Sequence, residues 1–485
     1  MQVQLKDDLY AWDQEYRDTI ATVDEKGKRI WMYPRKPSGK YHRRRVAVTI
    51  VLLTLFFSGP FIRIGGQPLL LLNIFERHFI LFGQVFWPQD FFLLALTLIT
   101  FFVFIILFTV SFGRLWCGWA CPQTLFMEMV FRKIEYWIEG DANAQRRLNA
   151  APWNTEKMMK KAGKQVIFLS ISVLIAHVAM AYLIGIEQVR TIVTQPPAEH
   201  LSGFIGLVAF TGIFYGVFAW FREQACIAVC PYGRLQGVLL TKDSIVVAYD
   251  WLRGEPRGKI RKPSAADQEE TKTAGDCIDC KMCIHVCPTG IDIRNGTQLE
   301  CVNCTACIDV CDEVMEKVGK PTGLIRYASY NGILNGVKRI FNPRTIGYAV
   351  VLTLLLSLLG YFIFTRAEIE TTVLKAPGTL YTMADDGQVT NVYNFEFVNK
   401  TFRDIELTVR VELPEEASIQ KVGEPLALVK KESILKAIYL VKIPPEKLGS
   451  IKTVVQFGIY DGDHQVETVK ARFTGPIRKF NLHQP

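Results

Sequence analysis

Five runs of about twenty apolar residues, at 46–64, 91–112, 166–186, 201–221 and 346–364, constrain this chain more than any other feature. As helices, each is long enough to cross a hydrocarbon core about 30 Å thick. Composition agrees, since 49% of the 485 residues are hydrophobic and only 21% charged, where soluble domains carry charge nearer a quarter. Disorder and a disulfide-stapled miniprotein are excluded, because the chain is too apolar and twelve cysteines in 485 residues are too sparse. A sixth stretch, 68–87, holds Glu76, Arg77 and His78 at its centre. Each charge at a span centre costs roughly 2.5–3.5 kcal/mol, so an interfacial or re-entrant element with Trp87 as its anchor is expected there.

Basic residues cluster between the runs. Eleven precede residue 46 and nine fall in 113–165, whereas the connections 65–90 and 187–200 carry only Arg77 and Arg190. By the positive-inside rule this predicts a cytoplasmic N-terminus at 1–45, a transmembrane region over 46–225 whose loop 113–165 is cytoplasmic, a cytoplasmic region at 226–345, a fifth span at 346–364 and a far-side domain from 370 to 485. No cleavable signal peptide is expected, because a long polar segment precedes the first apolar run. The net charge of +9 is then a topology signal, and no nucleic-acid partner is expected.

All twelve cysteines lie in segments placed on the cytoplasmic side, a reducing compartment where metal or redox chemistry is favoured over disulfides. Eight form two runs offset by 24 residues, Cys277-x2-Cys280-x2-Cys283-x3-Cys287-Pro288 and Cys301-x2-Cys304-x2-Cys307-x3-Cys311. A cysteine at every third position can wrap three thiolates around one 4Fe-4S cube. The fourth, expected to open a helix, points to the other cube. The spacing therefore predicts one cluster on Cys277, Cys280, Cys283 and Cys311, and a second on Cys301, Cys304, Cys307 and Cys287. Zinc has no need of this triple-plus-one spacing. Pro288 fixes the turn after Cys287, and Asp312 stands at the corresponding place in the second run.

The other four cysteines repeat a different motif, Cys117-Gly-Trp-Ala-Cys121-Pro122 and Cys226-Ile-Ala-Val-Cys230-Pro231. On a continuing helix each pair shares one face, and each follows an apolar run of the same direction, so the four thiols can converge. They are the catalytic and metal-binding candidates, suited to Cu(I), zinc or a further iron-sulfur cluster. His177, mid-span, is either a functional group toward quinone or haem or a neutral packing histidine. His285 faces water or tunes the first cluster, and Trp116 and Trp119 are interface anchors or aromatic neighbours of a redox site. From Glu370 onward, period-two patterns broken by Asp385-Asp386-Gly387 and Asp461-Gly462-Asp463 predict about seven short strands in an immunoglobulin-like sandwich, a partner-docking module or a stabilising cap.

Taken together, RLWCGWACPQT at 114–124, CIAVCPYGRLQG at 226–237, the paired runs at 277–311 and GQPLLLLNIFERHFILFGQVFWPQD at 66–90 closely resemble the FixG/RdxA/CcoG family of cytochrome c oxidase accessory proteins. The resemblance covers essentially the whole chain, the terminal sandwich included; the cysteine motifs alone are shared with related quinol and nitrous-oxide maturation proteins. It implies a multi-pass protein of the bacterial inner membrane, in contact with lipid, with a five-span helical bundle, an α+β ferredoxin-like two-cluster domain and a periplasmic sandwich. It further implies maturation of a cbb-type haem-copper oxidase, with oxidase subunits or their copper-delivery factors as partners. The expected oxidoreductase chemistry is electron flow from a cytoplasmic donor through two 4Fe-4S clusters to the CxxxCP thiols, where Cu(II) becomes Cu(I). A quinol-linked module with a third cluster at those thiols, and an assembly factor that hands on copper without redox change, are the competing readings.

Overall fold

The computed structural model describes residues 22–23, 26, 28–75, 78–81, 84–86, 91–259, 275–336, 342–378, 380–384, 386–401, 403–423, 427–431, 433–448 and 452–476. The chain divides into two compact units, one comprising Met1–Arg63, Pro68–Arg77 and Leu94–Leu358, the other Ile64–Gln67, His78–Leu93 and Leu359–Pro485.

Among the described residues five helices are long and apolar enough to cross a membrane, at Lys40–Phe61, Phe92–Phe112, Thr155–Ile184, Leu201–Phe221 and Pro343–Phe364. Spans two, four and five follow the apolar runs closely, whereas spans one and three begin earlier than hydropathy alone marks. Span one starts at Lys40 because the Asp309 carboxylate accepts the backbone N–H groups of Tyr41 (2.9 Å) and His42 (2.7 Å), donors that a helix start otherwise leaves unpaired. Span three starts at Thr155, where the Asn154 side chain caps the Lys157 N–H at 2.8 Å. In 68–87 no helix forms among the described residues. Short strands at Leu70–Asn73, His78–Leu81 and Gln84–Phe86 occupy it, with Phe79 opposite Phe86; Glu76, Arg77 and Trp87 lie outside the described residues.

Helix Arg132–Ile138, in the connection between spans two and three, carries a buried charge cluster. Glu135 accepts both Nη1 (3.0 Å) and Nη2 (2.8 Å) of Arg222. Lys164 reaches Glu135 at 3.5 Å and Glu139 at 2.9 Å, while Glu223 lies 2.9 Å from Arg29 and 3.5 Å from Arg132. Arg222, with φ of 54° directly after span four, also lies with its guanidinium 4.6 Å from the Trp31 ring. Its carbonyl accepts from Gln123 Nε2 at 3.3 Å. This last bond ties the chain entering Cys226 to the chain leaving Cys121.

Beyond span four, strands Val246–Tyr249 and Ile325–Ala328 pair antiparallel, and the two ferredoxin runs fold beside them on helices Met282–His285 and Ala306–Lys317. Val247, Tyr249, Cys277, Cys283, Ile308, Met315, Leu324 and Ile325 form one buried core.

In the second unit, nine strands among the described residues form the expected sandwich, numbered β1 (Ile369–Lys375), β2 (Thr382–Met383), β3 (Val389–Asn399), β4 (Ile405–Leu413), β5 (Ser418–Lys421), β6 (Ala427–Val429), β7 (Ile434–Ile443), β8 (Lys452–Asp461) and β9 (His464–Thr474). One sheet runs β5-β7-β3-β1 with β2 added to β3, the other β6-β4-β8-β9. β2 and β6, two and three residues long, are too short to show an alternating pattern. Alternate residues meet between the sheets: Phe395 lies 5.2 Å from Phe457 of the facing sheet, and 4.7 Å from Tyr439 on the neighbouring strand of its own sheet, ring centre to ring centre. The Tyr393 hydroxyl donates to the Arg472 carbonyl at 3.0 Å, which satisfies its polar end in this core. Phe457→Ala, at a fully buried position, is expected to cost about 3–5 kcal/mol of sandwich stability. Thermal unfolding of the full chain should then show an earlier transition with iron content unchanged.

Candidate metal centres

The 24-residue repeat is also a backbone repeat. Asp279 and Lys281 have φ of 50° and 57°, and their counterparts Asn303 and Thr305 have 53° and 65°. Left-handed conformations are uncommon outside glycine. Alternated with right-handed ones, they turn successive N–H groups inward and make a hollow that favours anions such as cluster sulfide and thiolate. Lys281 and Thr305 each serve as the N-cap of the helix that follows. Cys283 and Cys307 therefore stand in first turns, so the fourth cysteines do not open helices. Cys311 sits one turn inside helix Ala306–Lys317, and Cys287 follows the single turn Met282–His285.

Two cavities gather these eight side chains. One is lined by Cys277, Cys280, Cys283 and Cys311, the other by Cys287, Cys301, Cys304 and Cys307, with Cys283 in the wall between. Burial pushes up the thiols of Cys283, Cys301 and Cys311 to about 12 and that of Cys304 to about 11. Thiols raised this far are neutral at physiological pH unless a cationic metal centre draws off the proton, and such a centre would hold them as thiolates. The eight cysteines surround two cavities, and four thiols around a cavity suit a multi-atom 4Fe-4S unit. Pro288 lines the second cavity, and Asp312, in the place of a proline, accepts the Gly323 N–H at 2.7 Å.

The CxxxCP segments depart from the expected continuous helix. Cys117 lies in helix Leu115–Trp119, but Cys121 is extended, with φ −63° and ψ 122°, and caps a new helix that begins at Pro122. Cys226 lies in the wide turn Ala225–Val229, and Cys230, with φ −65° and ψ 112°, precedes a helix begun by Pro231. Each proline forces the residue before it out of the helical region and then starts the next helix. Every pair therefore brackets a break in the helix. The four thiols still lie within electrostatic reach of one another. Burial pushes the Cys226 thiol up to about 12, with Cys121, Cys117 and Cys230 adding to the rise. Cys117 is raised to about 11 by burial, opposed by its hydrogen bond with the Gln236 amide.

Residues without a metal-ligand signature hold this site. Gln236 is fully buried against Cys117 at 3.4–3.5 Å. Arg114 donates to the Gly233 carbonyl at 2.8 Å, to the Cys301 carbonyl at 3.4 Å and to that of Leu299. Arg45 Nε donates to the Gly118 carbonyl at 2.6 Å. A Cβ on Gly118 would lie 2.6 Å from the Val302 carbonyl oxygen and against Asn303, so the Cys117 loop touches the Cys301 loop backbone to backbone. Trp119 Nε1 donates to the Tyr327 hydroxyl at 2.9 Å, whereas Trp116 is exposed. His285 is exposed as well. His177 Nδ1 lies 2.7 Å from the Val173 carbonyl one turn back, a hydrogen bond within its own span.

Profiles of known families match three stretches of the chain. Residues 94–140 match a "4Fe-4S binding domain", 221–330 a "4Fe-4S dicluster domain", and 359–476 an "IG-like fold at C-terminal of FixG". Three relatives are similar over most of their length. Protein RdxB of Cereibacter sphaeroides is 34% identical over 435 residues, 85% of this chain and 89% of RdxB. Nitrogen fixation protein FixG of Rhizobium meliloti is 30% identical, covering 88% and 86%. Protein RdxA of Cereibacter sphaeroides is 35% identical, covering 77% and 80%.

Proposed function

The chain belongs to the FixG/RdxA family of iron-sulfur membrane proteins, and from that premise we propose that it passes electrons to the CxxxCP thiols to reduce Cu(II) to Cu(I) for the copper centre of a cbb-type oxidase. In this reading Cys277, Cys280, Cys283 and Cys311 hold one 4Fe-4S cluster, and Cys287, Cys301, Cys304 and Cys307 the other. Such clusters supply low-potential one-electron reduction. Cys117, Cys121, Cys226 and Cys230 receive the copper substrate, and soft thiolates retain the cuprous product. The observation that carries the proposal is the close packing of Gly118, between the copper-receiving thiols, on the loop that carries Cys301 and Cys304. The basic residues around 1–45 and 113–165 support a cytoplasmic N-terminus and cytoplasmic clusters, fed by a cytoplasmic donor, with the sandwich in the periplasm. Oxidase subunits or copper-delivery factors are the partners this assigns to the sandwich.

A second reading has one observation in its favour: the stretch that matches a "4Fe-4S binding domain" contains Cys117 and Cys121. A third cluster could then occupy the four thiols. Iron counting and copper reduction separate the two. Anaerobically purified protein with about eight irons, whose reduced clusters reoxidise as a Cu(I) chelator colours, and whose Cys226→Ala variant keeps its iron but produces no Cu(I), meets the proposal. About twelve irons without cysteine-dependent Cu(I) would replace it with the three-cluster reading.

A further inference from the structure

The two ferredoxin loops have the same backbone but opposite surroundings. At the Cys287, Cys301, Cys304 and Cys307 site the neighbours are cationic. Arg45 and Arg114, 3% and 5% exposed, each keep a buried guanidinium nitrogen, Nη2 and Nε respectively, with no hydrogen-bond partner among the described residues. Neither has a carboxylate partner among them. Arg114 reaches the Cys301 carbonyl, and Arg45 holds the Gly118 carbonyl at 2.6 Å, beside the Val302–Asn303 backbone. Buried cations without counter-charges are costly, and an anionic occupant of the cavity offsets that cost. Asn303, 2% exposed, lines the same cavity. Its Oδ1 accepts the Val247 N–H at 3.4 Å and lies 3.5 Å from the Cys301 sulfur, and its Nδ2 is buried without a partner among the described residues.

At the Cys277, Cys280, Cys283 and Cys311 site the corresponding residue is Asp279. Arg294, which lines this cavity, binds Asp279 at 2.6 Å and Asp292 at 2.7–2.8 Å, so it stands between two carboxylates, with Arg257 acting on both from farther off. Asp312 adds a third acid beside Cys311. Lys281 is exposed, where water screens it. Cys280 is the exposed member of the eight, the rest being buried or half-buried.

Net charge, hydrogen bonds to sulfur and solvent exposure set the potential of an iron-sulfur centre. Building on the ligand sets proposed above, we infer that the repeat is electrostatically graded. Arg45 and Arg114 favour the extra electron at the Cys301 site, where Asn303 is uncharged, Asp279, Asp292 and Asp312 disfavour it at the Cys277 site, and electrons therefore enter on the Cys280 side and leave where Gly118 meets Val302. Each electron comes from a soluble one-electron reductant and ends on Cu(II), with no bond or proton transferred. Asn303 and Asp279 are positioning residues in this scheme, since neither touches the copper.

The test is a potentiometric titration of the full-length anaerobic protein followed by electron paramagnetic resonance. The native chain should reduce in two separate steps. Asn303→Asp should lower the upper midpoint by about 59 mV, a tenfold change in the one-electron equilibrium, and leave the lower one in place. Asp279→Asn, at a partly exposed site, should raise the lower midpoint alone, and it decides the matter if Asn303→Asp fails to retain iron. Midpoints that stay where they were in a chain with about eight irons would overturn the grading and leave the ligand sets standing. A native chain without those irons would remove the ligand sets and the grading together.

Discussion

Gly118→Val is expected to leave both ferredoxin sites filled and to slow Cu(I) production by about a hundredfold, the loss that a misplacement of roughly 1 Å can cause. The side chain would be driven into the Val302 carbonyl at 2.6 Å and into the Asn303 backbone. A peptide carbonyl cannot swing aside as a flexible side-chain end can, so the two loops must separate. Overpacking of this kind costs about 1–3 kcal/mol, which a chain with this much buried surface survives. Pre-reducing the protein, adding one equivalent of Cu(II) and timing the cuprous signal measures the effect directly. A rate equal to that of the native chain would show that electrons do not cross at this contact. Gly118→Ala should fall between the two.

Glu135→Ala should be among the most destabilising single changes outside the spans. It removes the carboxylate that pairs bidentately with Arg222 and also faces Lys164, leaving both cations buried with too little negative charge. Breaking a buried pair in this way costs about 3–5 kcal/mol. Because Arg222 also holds Gln123, the Cys121 and Cys226 segments should lose their register. Iron in the ferredoxin sites should be affected less than Cu(I) formation. Acid sensitivity supplies a second readout. Burial pushes the Glu135 carboxyl up, but Arg222, Lys164 and Arg132 outweigh it and hold the carboxyl below its ordinary range. The stabilisation is therefore complete above the ordinary carboxylate value of about 4.3 and disappears as the pH falls through the lower folded value. The variant should lack this acid step in thermal unfolding, and an unchanged acid profile would count against the role given to Glu135.

Much of this was legible in the sequence because its causes are local. Apolar run length located the five helices, period two located the longer sandwich strands, and the spacing of cysteines marked the eight side chains that line the two cavities, with Cys283 in the walls of both. What escaped was set by distant partners. Hydropathy could not place the start of span one at Lys40, because the group that caps it is Asp309, in a helix some 270 residues away. The helix break at each CxxxCP was readable from Pro122 and Pro231, whose effect on the preceding residue is local, yet the spacing of four drew attention to a continuous face. Arg45, Arg114, Gln236 and Asn303 carry no ligand signature, and only the folded chain brings them to the cysteines. The paired acids and bases around Glu135 read as scattered charges of a basic loop.

The chain contains two duplications, the 24-residue ferredoxin run and the CxxxCP hairpin, and each composite site draws on both copies. A symmetric dimer of shorter chains could build the same constellation, since a two-fold axis supplies equivalent halves. Symmetry would then oblige both halves to change together. With both copies on one polypeptide, position 279 can be aspartate while position 303 is asparagine, and position 288 proline while position 312 is aspartate. Covalent linkage thus frees each half to drift toward its own task, and gives a pair of near-identical loops a direction.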